Sequence, residues 1–184
     1  MIIVCGLGNP EERYERTKHN IGFIVLEHLA QKLKCEFSQK KFNSKIAELL
    51  FHHEKVLFIK PQTYMNRSGE AVKQALSFYK TTPEQLLVIH DEIDFPLGKI
   101  KLKFDGGDAG HNGLKSIIEE LGIASFHRLR IGIGRPAMRE EVSSYVLSNF
   151  LPEHEEKLSE VITQACDEVE KFIERTIVKN KPIC

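Results

Sequence analysis

The sequence predicts an α/β fold, a single domain in which a twisted, mixed β-sheet carries helices on both faces. Three observations lead there. Apolar, β-branched runs of strand length recur along the chain, among them "IIVCGL" and "LLVIHDEI", and read as buried strands. Segments with apolar residues at helical spacing are interleaved with them, with no linker or internal repeat. The length, 184 residues, suits one domain with a core that needs no disulfide or metal staple, so the expected domain is the whole chain, 1–184.

Each element follows in order. "IIVCGL" ends in glycine and opens the sheet. From Asn20 to about Lys34, Ile21, Ile24 or Val25, Leu29 and Leu33 mark a helix. "KIAELLF" and "KVLFIK" flank the polar "HHEK" and predict a hairpin. "SGEAVKQALSFYK" is a helix with Ala71, Val72, Ala75, Leu76 and Tyr79 on one face, stopping before Pro83. "LLVIHDEI" is an apolar strand that ends in acids. "KIKLKF" alternates, with Lys99, Lys101 and Lys103 on one face and Ile100, Leu102 and Phe104 on the other. A helix covers Leu114–Leu121, and "HRLRIGIG" is a strand with Arg128 and Arg130 on one side. A short helix over about Glu140–Leu147 and a long one over about Pro152–Val178 complete the chain, the latter striped with Leu158, Val161, Ile162, Ala165, Val169, Phe172 and Ile173.

Composition narrows the function classes. "MIIVCGLGNP" is too short an apolar run for a secretory signal and has no basic leader. No segment approaches the ~20 apolar residues of a membrane span, so the expected location is cytoplasmic. Cys5, Cys35, Cys166 and Cys184 are scattered without a C-x-x-C pair and read as reduced thiols. The formal charge is zero, but it is unevenly spread. From Phe95 to Arg139 eight Lys and Arg face four acids, and from Glu140 to Glu170 nine acids face one Lys. One basic face able to attract a polyanion is the expectation, beside the plainer reading of a solvated surface.

The common motifs fail. After the first strand, Gly6-Leu7-Gly8-Asn9-Pro10-Glu11 has Glu where a dinucleotide fingerprint needs glycine. The phosphate-binding P-loop and the G-x-S-x-G nucleophile turn are absent. His52 and His53 are neighbours in a turn and read as solvated. Asp91, Glu92 and Asp94 in "HDEIDF" offer carboxylates for a divalent ion, without histidines at metal-ligand spacing.

What remains is a set of polar residues at element ends: Asn9, His19, Asn20, Asn66, Asp91, His111 and Asn112. Singly, each has a bland reading as a cap or turn residue. Together they can do chemistry. A histidine at a helix start is favoured as neutral imidazole by the helix dipole and can take a proton from water. A carboxylate would orient it, and Asp91 is the best candidate. A side-chain amide such as Asn66 can hold the water or a developing oxyanion. The loop "GGDAGHNGL" is stripped of side chains just before His111 and Asn112, as if something large lies against its backbone.

These residues carry a resemblance. "GLGNPEERYERTKHNIGF", "KPQTYMNRSGEAV", "VIHDEIDFPLGKIKLK", "GGDAGHNGLKSI" and "FHRLRIGIGRP" occur in the same order as in the bacterial-type peptidyl-tRNA hydrolase family, over residues 2 to about 150. The final helix is similar only in kind. The resemblance implies a monomeric enzyme without metal or cofactor that hydrolyses the ester between a peptide and the 3′ ribose of tRNA. It implies His19 as general base, Asp91 as its partner and Asn66 as the group that steadies water and transition state. It further implies Asn9 and Asn112 on the peptide backbone, His111 as a supporting neighbour, and Tyr14 and Met65 in the cleft wall. Lys103 and Arg130, with Arg139, match the family's basic grip on tRNA phosphate. The sequence departs from the family's glycines at Asp105 and Ala109, and Asp105 and Asp108 add negative charge beside that grip. The rival expectations are an RNA-binding protein on this scaffold without catalysis and a metal-dependent hydrolase using Asp91, Glu92 and Asp94.

Overall fold

The computed structural model describes residues 1–180; the side chains of Arg139 and Asn180, and Cys184 with the other C-terminal residues, lie outside the described residues. Its strands are β1 (Ile2–Gly6), β2 (Gln39–Lys41), β3 (Ser44–Phe51), β4 (Glu54–Pro61), β5 (Leu86–Glu92), β6 (Ile100–Phe104) and β7 (His127–Gly132). They form one sheet in the order β2-β3-β4-β1-β5-β7-β6. β1 runs parallel to β4 and β5, and β7 runs parallel to β5, while β2, β3 and β6 are antiparallel to their neighbours. The sheet is mixed, as the sequence predicts.

The central strands are continuous apolar runs because both of their faces are covered. Ile2 and Val4 go to one core, Ile3 and Cys5 to the other. On the first face lie α1 (Ile21–Lys32) and α5 (Glu155–Asn180), whose Val25, Leu29, Val161, Val169 and Ile173 pack over Val4, Ile89 and Leu129. On the second face α2 (Ser68–Tyr79) and α3 (Asn112–Leu121) bring Val72, Leu76, Leu114 and Ile117 onto Ile3, Leu57 and Val88. Each of these fully buried aliphatic side chains contributes roughly 1.5–3 kcal/mol. A five-residue helix, α4 (Val142–Val146), belongs to neither layer.

The β3–β4 turn is His52-His53, both with positive φ (47° and 70°), the pair of left-handed residues that a two-residue hairpin turn requires. Strand β2 adds to the elements that the sequence predicts. Its "QKK" is fully exposed and has no apolar alternation to announce it. The helix ends shift by one to three residues from expectation. Asn20 closes a 3-10 turn over Lys18–Asn20, so α1 starts at Ile21. His111 caps α3, which therefore begins at Asn112.

Two glycines set how closely α1 approaches the sheet. A Cβ on Gly22 would lie 2.4 Å from both the Ile89 carbonyl oxygen and the Leu7 nitrogen, and one on Gly6 would lie 2.4 Å from the Gly22 oxygen. The first turn of α1 therefore rests on the backbone at the ends of β1 and β5. β1 leads into α1 on one face and β4 leads into α2 on the other. This is a switch in connection, and the loops at the carboxyl ends of the strands part there to leave a crevice.

Candidate active site

Three elements meet over the end of β5. His19 comes from the 3-10 turn before α1, Asp91 from the end of β5, and His111 from the cap of α3. His19 Nδ1 lies 2.8 Å and His111 Nε2 lies 2.9 Å from the same oxygen, Asp91 Oδ1. The protons can be placed. Gly113 and Leu114 donate their backbone N–H groups to His111 Nδ1, at 3.1 and 3.4 Å. That nitrogen therefore carries a lone pair, and Nε2–H donates to Asp91. Asp91 is a carboxylate accepting from both rings, so His19 is protonated on Nδ1 and presents its Nε2 lone pair. Burial opposes the charge on Asp91, but the two imidazoles that donate to it outweigh burial and hold the carboxyl below its usual range.

The asparagines are placed by one another. Asn20 Oδ1 accepts from Asn9 N–H and Asn20 Nδ2 donates to the Asn9 carbonyl, both at 2.9 Å. Asn9 Oδ1 then accepts from Met65 N–H at 2.9 Å, which leaves the Asn9 amide NH₂ to donate. Met65 itself is buried against the position of Gly113, so it braces the wall from inside. Just before it, Tyr64 has φ 60° and ψ 163°. A non-glycine residue held there costs on the order of 1–3 kcal/mol. Its hydroxyl is held by Glu11, and its carbonyl accepts from Arg67 N–H at 3.2 Å. This bend lifts the exposed Asn66 onto the rim of the crevice.

The crevice is a cavity of about 670 Å³ lined by Asn9, His19, Met65, Asn66, Asp91, His111 and Asn112 together. Residues dispersed over a hundred positions in sequence thus converge on one space. Tyr14 does not line it, and Tyr64 does. Tyr14 instead lies under the Arg13 guanidinium, 4.7 Å from the ring centre. The facing wall is α4, which supplies Val142 and Val146, with Leu147 directly after it. It is anchored by Lys18, which is buried beside His19. Lys18 Nζ donates to Ser148 Oγ and the Asn149 carbonyl at 2.8 and 2.7 Å and sits 4.5 Å from the Tyr145 ring centre. Burial without a carboxylate partner lowers the pKa of this lysine.

The comparisons with known proteins agree on one family. The family model described as peptidyl-tRNA hydrolase matches residues 3–182. The chain belongs to the peptidyl-tRNA hydrolase family. It is 42% identical to the peptidyl-tRNA hydrolase of Halalkalibacterium halodurans over 179 residues, 97% of each chain. It is 50% identical to that of Rickettsia bellii over 151 residues, 82% of this chain and 81% of the relative. The crystal structure of the Acinetobacter baumannii peptidyl-tRNA hydrolase superposes with a TM-score of 0.90 at 37% identity, covering 97% of this chain and 91% of the other. The likeness to peptidyl-tRNA hydrolases thus continues through α5, beyond the last sequence motif, because a stripe of apolar residues on a helix carries no motif.

The basic face of this peptidyl-tRNA hydrolase family member differs in detail from expectation. Lys103 is exposed on the edge strand, opposite Arg128 in register, and Lys101 is opposite Arg130. Arg130 is paired with Glu92 at 2.9 Å and lies over the Phe95 ring. Arg128 turns inward: it is 2% exposed and donates to the carbonyls of Gly106, Gly107 and Ala124. It belongs to the brace of the glycine loop and not to the charged surface. Arg139 begins a 3-10 turn, and its side chain lies outside the described residues. The departures from the family's glycines also have a physical meaning. Asp105 and Ala109 have φ 65° and 49°, the region where glycine fits without cost. Asp105 and Asp108 spend one carboxylate oxygen each on the loop, accepting from Gly106 and Gly110 N–H.

The ligand atoms of His19, Asp91 and His111 lie within 4.8 Å of one another, the only such group among the described residues. Two imidazoles and a carboxylate are a set that zinc accepts. Here the same atoms are spanned by N–H···O bonds of 2.8 and 2.9 Å, and an ion would have to displace both protons. The carboxylates of "HDEIDF" do not group: Glu92 faces Arg130 and Asp94 faces Arg135.

A third histidine stands behind these two; it lies within the "VIHDEIDF" motif, but has no role assigned from the sequence. His90 is buried, donates from Nδ1 to the Asp91 carbonyl at 2.7 Å and meets the His111 ring edge-on at 5.0 Å. Burial pushes its pKa down to about 3. The unfolded value is about 6.5, so the stabilisation is complete above that pH and is lost as the pH falls toward 3. Between pH 7 and pH 5 this one group is expected to remove about 2 kcal/mol of stability. His90→Asn keeps an N–H near Nδ1 but cannot titrate. Urea unfolding at the two pH values should show a smaller pH difference for the variant by about that amount.

Proposed function

We propose that this protein hydrolyses the ester between a peptide and the 3′ ribose of tRNA. Such an activity recycles tRNA from peptidyl-tRNA lost by stalled ribosomes. His19 Nε2 takes a proton from water as the oxygen attacks the ester carbonyl. Asp91 holds the ring through Nδ1–H and stabilises the imidazolium that forms. Asn66 donates to the oxyanion. The tetrahedral intermediate collapses, the ribose 3′ oxygen leaves and takes the proton back from His19, and no covalent enzyme intermediate forms. Asn9 NH₂ and Asn112 bind the peptide backbone, with Met65 and His111 in the wall. Both His111 nitrogens are engaged by the protein, so its part is to hold Asp91. Lys103 and Arg130 grip tRNA phosphate, with Arg139 as a third basic contact.

The observation that carries this reading is the 2.8 Å contact of His19 Nδ1 with the Asp91 carboxylate over a cavity that gathers Asn9, Asn66 and Asn112. An RNA-binding protein without catalysis would have no use for that arrangement. The chain acts as one domain and as a monomer in the cytoplasm; no described helix is long and apolar enough to cross a membrane.

The test is release of amino acid from one tRNA charged with N-acetylated or with unblocked amino acid. Release is expected from the acetylated substrate, with the free ammonium disfavoured by at least ~10-fold because it replaces an amide donor with an unpaired charge. The rate should be unchanged by 1,10-phenanthroline, which leaves the Mg²⁺ of the tRNA fold in place. Binding of tRNA without release would overturn the hydrolase reading, and loss of activity with the chelator would overturn the metal-free mechanism.

A further inference from the structure

The cavity has two unlike walls. One is the polar wall of histidines and asparagines already described. The other is mostly aliphatic: Val142 and Val146 from α4 and Leu147 just after it, with Ile93 beside them and Ser143 as the one polar side chain of the helix in the lining. The charges of the described residues that line it are of one sign. Asp91, Glu92, Asp108 and Glu140 line the space, and among the described residues no Lys or Arg does. Glu92 is answered by Arg130, and Asp91 by the two imidazoles. Asp108 and Glu140 have no cation within ion-pair distance among the described residues. Arg128, the basic group that feels Asp108, is turned into the carbonyls of the glycine loop.

We infer that the α4 wall is a side-chain subsite for the amino acid esterified to tRNA, one that takes apolar residues and rejects acidic ones. This rests on the hydrolase reading. With water between His19 Nε2 and the ester carbon, reacting atoms stand ~3–3.5 Å apart. The side chain leaves the adjacent Cα, so it must occupy the same cavity. The polar wall takes the backbone, and the side chain is left facing α4. An aliphatic side chain buries its surface there. A carboxylate would lose hydration, meet no cation among the described residues and lie near two like charges. The wall is fixed in place for this purpose. Tyr145 Oη donates to the Ile133 carbonyl at 2.6 Å, and Lys18 N–H donates to the Ser148 carbonyl at 3.0 Å.

The experiment uses one tRNA transcript charged chemically with N-acetyl-leucine, N-acetyl-glutamine or N-acetyl-glutamate, so that only the side chain differs. The expected order of kcat/KM is leucine, glutamine, glutamate, with each step about tenfold. Asp108→Asn and Glu140→Gln should each shrink the glutamine-to-glutamate ratio several-fold. Val146→Ser should shrink the leucine-to-glutamine ratio and leave the other ratio alone. Ratios are taken within one enzyme, so a partly folded variant remains informative. Rates within about twofold of one another for the three substrates would overturn the subsite while leaving the hydrolase reading intact. No hydrolysis of any of them by the unaltered protein would overturn both.

Discussion

His19→Asn is expected to lower kcat/KM on N-acetylated aminoacyl-tRNA by ~10²–10⁴, mostly through kcat, with the fold intact. Asparagine places a side-chain N–H near the position of Nδ1, so Asp91 keeps its second hydrogen bond and is not left buried with a missing partner. What disappears is the Nε2 lone pair. His19→Ala removes both, so it should show the same loss of rate and in addition cost about 1–3 kcal/mol of stability, the penalty of a buried carboxylate missing one of two donors. Steady-state kinetics and denaturant unfolding on the two variants separate the roles. A rate within about tenfold of the unaltered protein in His19→Asn would mean that another group takes the proton from water.

Gly22→Ala should be among the most damaging single methyl groups in the molecule. On an exposed helix the change gains about 1 kcal/mol. Here the new Cβ would sit 2.4 Å from two backbone atoms, Ile89 O and Leu7 N, and backbone cannot rotate aside. Relief requires α1 to back away by about 1 Å, with a cost of about 3 kcal/mol. His19 lies three residues upstream, so the shift also opens its 2.8 Å contact with Asp91. Displacement on this scale costs up to ~10² in rate. Gly107→Ala is the control, since an added Cβ there meets nothing within 4 Å; its stability should be unchanged. Equal unfolding midpoints for Gly22→Ala and the unaltered protein would refute the close-approach account.

Much of this is legible in the sequence, for reasons that can be named. The central strands are written as apolar runs because they are covered on both sides, and the helices show their stripes because each has one partner layer. The site residues stand at element ends, where asparagine, aspartate and histidine are conspicuous. Strand β2 is invisible there because an exposed edge asks for no apolar pattern. Strand alternation places Arg128 and Arg130 on one face but does not say that Arg128 is roofed by the glycine loop. Tyr14 and Tyr64 both stand in motifs, and only the positive φ of Tyr64, a property of tertiary structure, brings the second into the cavity. His90 is a strand residue among apolar neighbours and looks like part of the core, which it also is.

Asp91 Oδ1 is a point where the two halves of the molecule are counted together. One of its hydrogen bonds comes from the turn that leads into α1, on one side of the sheet, and the other from the cap of α3, on the opposite side. A fluctuation that lifts either layer by about an ångström breaks one of them. On the proposed mechanism, hydrolytic competence is thus the logical conjunction of two packings, and a molecule with either layer loose is silent before its helices melt. Such a protein would report its own integrity through its output: a damaged copy falls out of tRNA turnover as a non-participant and does not become an imprecise hydrolase of aminoacyl esters.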